Sequence, residues 1–144
     1  MDTKNKFKIA IAGLGFGKKV HLEALKESHY LTPAAIYHYE KTYKSTLEKE
    51  TGLEFFHDWE DLVKSPEIDG IIIATPPESR FKLAKQALEN NKNLLLEKPV
   101  SISSSEIEEL HRISLINNLS VCVDFEYRAV PLSFRLKNLL MKIS

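Results

Sequence analysis

Residues 8–12 read as a short buried strand in which Ile9 and Ile11 alternate with small alanines, and it breaks directly into Gly13-Leu14-Gly15-Phe16-Gly17. A strand that ends in a glycine turn and re-enters a helical pattern restricts the fold sharply. Such a unit needs a parallel partner strand, reached by a crossover. Residues 18–27 supply the helix, with Val20, Leu22 and Leu25 set among charged side chains.

The alternation continues along the chain. Pro33 to Tyr37 reads as a second strand, Lys41 to Thr51 as a polar helix stopped by Gly52, and Glu54 to Phe56 as a short third strand. Asp58 is placed to cap a helix carrying Leu62 and Val63, with Glu60 and Asp61 in its first turn and Pro66 at its end. Ile71-Ile72-Ile73-Ala74 is the most β-branched run and predicts a central strand buried on both faces, halted by Pro76-Pro77. A helix over 79–90 and a strand over 93–97 follow. Ser103 and Glu106 have capping-box spacing and open a helix to Asn117, and Val121 to Phe125 is the last strand.

These elements predict an α/β fold with three α/β/α layers around a doubly wound parallel sheet, a Rossmann-type domain over residues 1–125. Residues 126–144 form a terminal segment in which Pro131 precedes Leu132, Phe134, Leu136, Leu139 and Leu140. That segment reads either as a helix covering the sheet or as a connection to a further domain.

Composition narrows the function. A chain of 144 residues fits one domain and buries roughly two thirds of its unfolded surface. Its formal net charge is zero and both signs are interspersed, so no basic stripe is available to neutralise phosphates, and nucleic acid is not an expected partner. No apolar stretch approaches the roughly 20 residues that span a bilayer, and the first eight residues are mainly polar, so a cytoplasmic protein with no membrane partner is expected. The single cysteine, Cys122, has no partner for an internal disulfide and, between Val121 and Val123, reads as a small buried hydrophobe. No metal-ligand spacing is present, and no metal is expected.

The glycine turn is the first candidate site. Between a strand and a helix, Gly13 allows the tight turn and Gly15 a close backbone approach, so that the amides of residues 13–17, including those of Leu14 and Phe16, can hold a pyrophosphate at the helix N-terminus. The usual third glycine would fall at Lys18, and Gly17 is present instead. The structural alternative is a turn that merely needs positive φ. Roughly 20 residues on, where NAD enzymes place a ribose-binding acid, stands His38. Without a carboxylate there, and with Lys41 and Lys44 nearby, NADP is favoured slightly over NAD; the alternative is that Glu40 reaches the ribose.

Two further loops end on the same sheet edge. Thr75-Pro76-Pro77 follows the strongest strand and borders the cofactor crevice, unless it is a turn without a ligand role; Arg80 beyond it faces the crevice or solvent. Glu97-Lys98-Pro99 puts an ammonium at a strand's ligand-facing tip. Lys98 is the candidate catalytic group, bonding the nicotinamide ribose and a substrate hydroxyl, with partial desolvation lowering its pKa; Glu97 borders the cofactor and anchors the loop. His21 is assigned to packing or a cap-like hydrogen bond, and Arg128 to a salt bridge with Glu126 or Glu97.

Four motifs in order, Gly-Leu-Gly-Phe-Gly-x-x-Val-His at 13–21, Ala-Thr-Pro-Pro at 74–77, Glu-Lys-Pro at 97–99 and Asp-Phe-Glu-Tyr-Arg-x-x-Pro at 124–131, resemble the Gfo/Idh/MocA oxidoreductase family over nearly the whole chain. The resemblance implies an NAD(P)-dependent oxidoreductase acting on a hydroxyl or carbonyl of a sugar, inositol or related small molecule. It implies that Lys98 contacts both cofactor and substrate, and that the bond before Pro99 is often cis. Arg80 departs from a common histidine and His38 from a frequent acid. Family members continue into a second α/β domain that supplies most of the substrate pocket and usually the interface of a homo-oligomer. The 144 residues are therefore expected to bind a dinucleotide and to turn over substrate poorly or not at all. A dinucleotide-sensing regulatory module, or a fragment working with a separate substrate domain, are the alternatives.

Overall fold

In a computed structural model, which describes residues 6–140, the six strands are β1 (Phe7–Ala12), β2 (Leu31–Tyr37), β3 (Glu54–Phe56), β4 (Gly70–Ile73), β5 (Asn93–Glu97) and β6 (Val121–Asp124). They lie in the order β3-β2-β1-β4-β5-β6 and every neighbouring pair is parallel. Strand order reverses between β1 and β4, and a crevice opens outside the carboxyl ends of strands at such a switch.

Burial on both faces explains why the strands read as continuous apolar runs. One face carries Ala10, Ala12, Ile71, Ile73, Leu94 and Leu96. It is covered by α3 (Trp59–Lys64), α4 (Pro77–Glu89) and α5 (Ser104–Ile116). The other carries Ile9, Ile11 and Ile72 beneath Leu22 and Leu25 of α1 (Leu22–Glu27), while Leu47 of α2 (Lys44–Thr51) packs on Ile36 and Phe55. The chain enters α1 through a wide helical turn at Gly17–His21. Three layers result, as expected.

Local chemistry moves several boundaries. Strand β2 starts at Leu31 and includes Pro33, which has no N–H for the ladder; its register with β1 slips from Ile9↔Pro33 to Ala10↔Ala35, skipping Ala34. Helix α4 begins at Pro77 with Pro76 at its N-cap, earlier than the expected Ser79, because a proline at the first helical position loses no hydrogen bond there. The Asp58 cap forms, Oδ1 accepting from Glu60 N–H (2.7 Å) and Asp61 N–H (3.3 Å). The expected Ser103–Glu106 box does not: Ser103 makes no cap bond, its hydroxyl meets that of Ser105, and Glu106 is taken by the Ser101 hydroxyl.

Cys122 is exposed, which corrects its assignment to the core. It lies on edge strand β6 opposite Leu95, which is itself only partly buried. After β6 a short turn leads to α6 (Pro131–Leu140), where Leu132 is exposed. The side chains of Phe134, Leu136, Leu139 and Leu140, and residues 141–144, lie outside the described ones. No helix among the described residues is long and apolar enough to cross a membrane.

Candidate functional site

The three glycines after β1 meet different surroundings. Gly13 has φ +121°, and a Cβ there would lie 2.5 Å from the Ala74 carbonyl oxygen. At Gly17 a Cβ would lie 3.0 Å from Ile11 Cγ2 and 3.2 Å from Ala74 Cβ, so the helix packs hard on the sheet. Gly15 has no neighbour within 4 Å and no positive φ. Protein packing explains the first and third glycines, and space left open outside the backbone remains at the second. No side chain caps the helical turn that starts at Gly17, so its first amides carry the partial positive charge that suits a phosphate.

That open space belongs to a cleft of about 830 Å³ over the ends of β2, β1 and β4. Gly13, Leu14 and Gly15 form one wall, Tyr37, His38 and Tyr39 one end, and Thr75, Pro76 and Leu83 the opposite side. The Thr75 hydroxyl oxygen is buried with no hydrogen-bond partner, an orphan that a polar ligand atom would satisfy. Pro77, expected in the crevice, instead sits in the first turn of α4 and is not among the lining residues. Phe16 and Gly17 also stand outside the lining; the Phe16 ring meets His21 edge-on at 5.3 Å.

His38 stacks on Tyr39 and meets Tyr43 edge-on, both at 4.6 Å between ring centroids, while its Nδ1 accepts the Glu40 N–H at 3.2 Å. The neighbouring Glu40 carboxylate pushes the Tyr39 pKa up. Lys41 is exposed, and Lys44 lies 3.8 Å from Glu48.

At the ends of β5 and β6 the fold assembles a second group. Buried Glu97 Oε1 lies 2.8 Å from His21 Nε2, and its Oε2 accepts the Lys98 N–H at 3.2 Å. Asp124 Oδ2 lies 3.7 Å from His21 Nε2. Linear spacing suggested no metal ligands, yet the fold brings one ligand-type atom from each of His21, Glu97 and Asp124 within 4.8 Å of the others. Burial, then the neighbouring Glu97 charge, pushes the Asp124 carboxyl above the usual aspartate range. His21, assigned to packing or capping, is thus the buried partner of Glu97.

The Lys98 ammonium is about half exposed and lies 3.1 Å from Glu126. That hydrogen bond and the Glu126 charge raise its pKa, which corrects the expected lowering: the group gains an anion and little desolvation. Glu126 therefore pairs with Lys98 and not with Arg128. The Lys98–Pro99 peptide is cis.

Arg80 faces neither the crevice nor solvent. It is 3% exposed, and its guanidinium donates to the carbonyls of Glu97 (2.6 Å), Pro99 and Thr75. No sequence signal marks such a role, because its acceptors are main-chain atoms on two distant loops.

Residues 7–125 match a family described as an oxidoreductase family with an NAD-binding Rossmann fold. An uncharacterized oxidoreductase of Synechocystis sp. is 35% identical over 124 residues, which is 85% of this chain and 33% of that protein. Glucose-6-phosphate 3-dehydrogenase of Bacillus subtilis is 27% identical over 134 residues, 93% of this chain and 38% of that enzyme. The chain spans about a third of the length of these curated relatives. Apo scyllo-inositol dehydrogenase from Lactobacillus casei superposes with a TM-score of 0.85 at 25% identity, over 95% of this chain and 41% of that one. The same enzyme has been solved with bound NAD(H) and scyllo-inositol. KijD10, a 3-ketoreductase from Actinomadura kijaniata in complex with NADP and TDP-benzene, superposes at 0.90 with 18% identity, over 96% of this chain and 43% of that one, a likeness of fold alone.

Proposed function

Because the chain belongs to the Gfo/Idh/MocA oxidoreductase family and carries that family's NAD-binding Rossmann fold, we propose that it binds NADP or NAD in the β1–β4 cleft and presents Lys98 to the reacting end. The full protein would then be an enzyme acting on a hydroxyl or carbonyl of a sugar, inositol or related polyol, and residues 126–144 would lead to the domain that completes its substrate pocket. The dehydrogenases of inositol and glucose-6-phosphate among its relatives support this class of substrate.

The observation that carries the proposal is Gly15, whose missing Cβ faces empty space while its neighbours Gly13 and Gly17 are closed by protein. The amides of residues 13–17 bind the diphosphate, which the uncapped helix start stabilises. Thr75 offers its unpartnered hydroxyl, and Pro76 holds the wall of the cleft beside it. His38 borders the ribose end; with no carboxylate at that position and Lys41 exposed shortly after it, an additional 2′-phosphate is not repelled there, which favours NADP. A bound nicotinamide nucleotide supplies the hydride acceptor or donor. Lys98, kept charged by Glu126, orients the ribose and a substrate oxygen and holds the proton at Nζ, while Glu97 fixes the Lys98 backbone from below.

Titrating the chain with NADPH and NADH by fluorescence tests the proposal. Both should bind, NADPH more tightly. Selectivity for NADH would overturn the assignment of His38, and absence of binding would overturn the site. In the full-length protein, Lys98→Ala should abolish turnover with adenosine-side affinity nearly intact; unchanged turnover would remove Lys98 from the reaction.

A further inference from the structure

We infer that Arg80 is a positioning residue that ties the Lys98 turn to the Thr75 loop, so that a dinucleotide seated against Thr75 meets a Lys98 whose backbone is already fixed. The inference rests on the dinucleotide site proposed above.

Arg80 breaks the ordinary rule for buried cations. Arginine is almost never fully buried unless paired with an anion, and here the hydrogen-bond acceptors are neutral carbonyls. The Glu97 carboxylate is turned towards His21 and the Lys98 amide instead. Arg80 Nε is itself buried without a partner. Burial on these terms costs free energy, and an apolar side chain of similar size would serve packing better.

What an apolar residue cannot do is connect the two loops. The guanidinium is a rigid planar fork, and one of its ends reaches the Glu97 and Pro99 carbonyls while the other reaches Thr75. The bonded residues bracket Lys98 on both sides. They also join the end of β5 to the end of β4, where the sheet ladder has stopped. A lysine offers a point charge on a flexible stem and could not span these carbonyls in one fixed geometry. Together with Glu97 Oε2 on the Lys98 N–H, the Arg80 bonds clamp the backbone of the turn from two directions while leaving the ammonium outside.

Amide hydrogen exchange on the 144-residue chain, with and without NADPH, tests this against a purely structural role. In Arg80→Met the Lys98 amide should exchange about tenfold faster or more, while the amides of Ile72 and Ile73 in β4 keep their protection. NADPH should protect the Lys98 amide in the wild type and fail to do so in the variant, with affinity reduced only a few-fold. Equal acceleration in β4 and at Lys98, or none at Lys98, would overturn the inference. If NADPH does not bind the wild type, the cofactor site is wrong, and the ligand-free comparison still decides whether Arg80 holds the turn. Should Arg80→Met not fold, Arg80→Lys keeps the charge without the fork. Local acceleration at Lys98 would support the inference, and wild-type exchange would overturn it.

Discussion

Glu97 and Asp124 stand opposite one another as the last paired residues of β5 and β6, and His21 reaches both carboxyls from the first helical turn. Burial first, and then the Glu97 charge across the register pair, make ionisation of Asp124 costly. Its folded pKa lies above its unfolded one. The native state therefore holds a proton that the unfolded state has released between the two values, and stability from this group is lost as pH rises through that window. Asp124→Asn should thus gain stability relative to wild type as pH rises above about 4, then plateau once the folded carboxyl is ionised. Urea unfolding between acid and neutral pH measures the difference; a difference independent of pH would contradict it.

His21→Phe keeps an aromatic edge against Phe16 but leaves Glu97 Oε1 without its buried donor. We expect a loss of about 1–3 kcal/mol in urea unfolding at neutral pH. Because Glu97 Oε2 also holds the Lys98 amide, the same variant should loosen the turn at residues 97–99.

The glycines should separate stability from binding. Gly13→Ala meets the Ala74 carbonyl at positive φ, and should lose several kcal/mol from about 1–3 kcal/mol of backbone strain and about 1–3 kcal/mol of overpacking. Gly15→Ala meets nothing and should unfold within about 0.5 kcal/mol of wild type. It should nevertheless weaken NADPH binding by roughly tenfold, because the methyl occupies the approach of the pyrophosphate. Thermal melts with a fluorescence titration check both.

Glu126→Gln should return the Lys98 pKa towards the ordinary lysine value, since the hydrogen bond and charge of Glu126 are the largest causes of its rise. A ¹³C-methylated lysine resonance, assigned with Lys98→Arg, reads this directly. An unchanged titration would mean that the ion pair does not persist in solution.

The parts of the fold written locally were legible. Ile71 to Ile73 announced a strand buried on both faces because β-branched residues without polar interruption suit no other setting in a small domain. The glycine turn and Asp58 announced their elements because each carries its own backbone requirement. Pro77 misled on where α4 starts, since proline both stops strands and opens helices. The capping box was lost to local competition: the Ser103 hydroxyl meets that of Ser105, and Glu106 is taken by Ser101. Cys122 looked internal because alternation cannot tell an edge strand from a central one. The partners of His21 and Arg80 were not legible at all: His21 meets a residue 76 positions away, and Arg80 meets carbonyls that every residue possesses.

Cys122 is the chain's sole thiol and stands in the open on β6, two positions before Asp124. A maleimide dye or a nitroxide can therefore be attached at a single place without altering any other side chain. Such a probe would sit on the strand that leads to Glu126, and its signal would report motion of the segment holding the Lys98 ammonium.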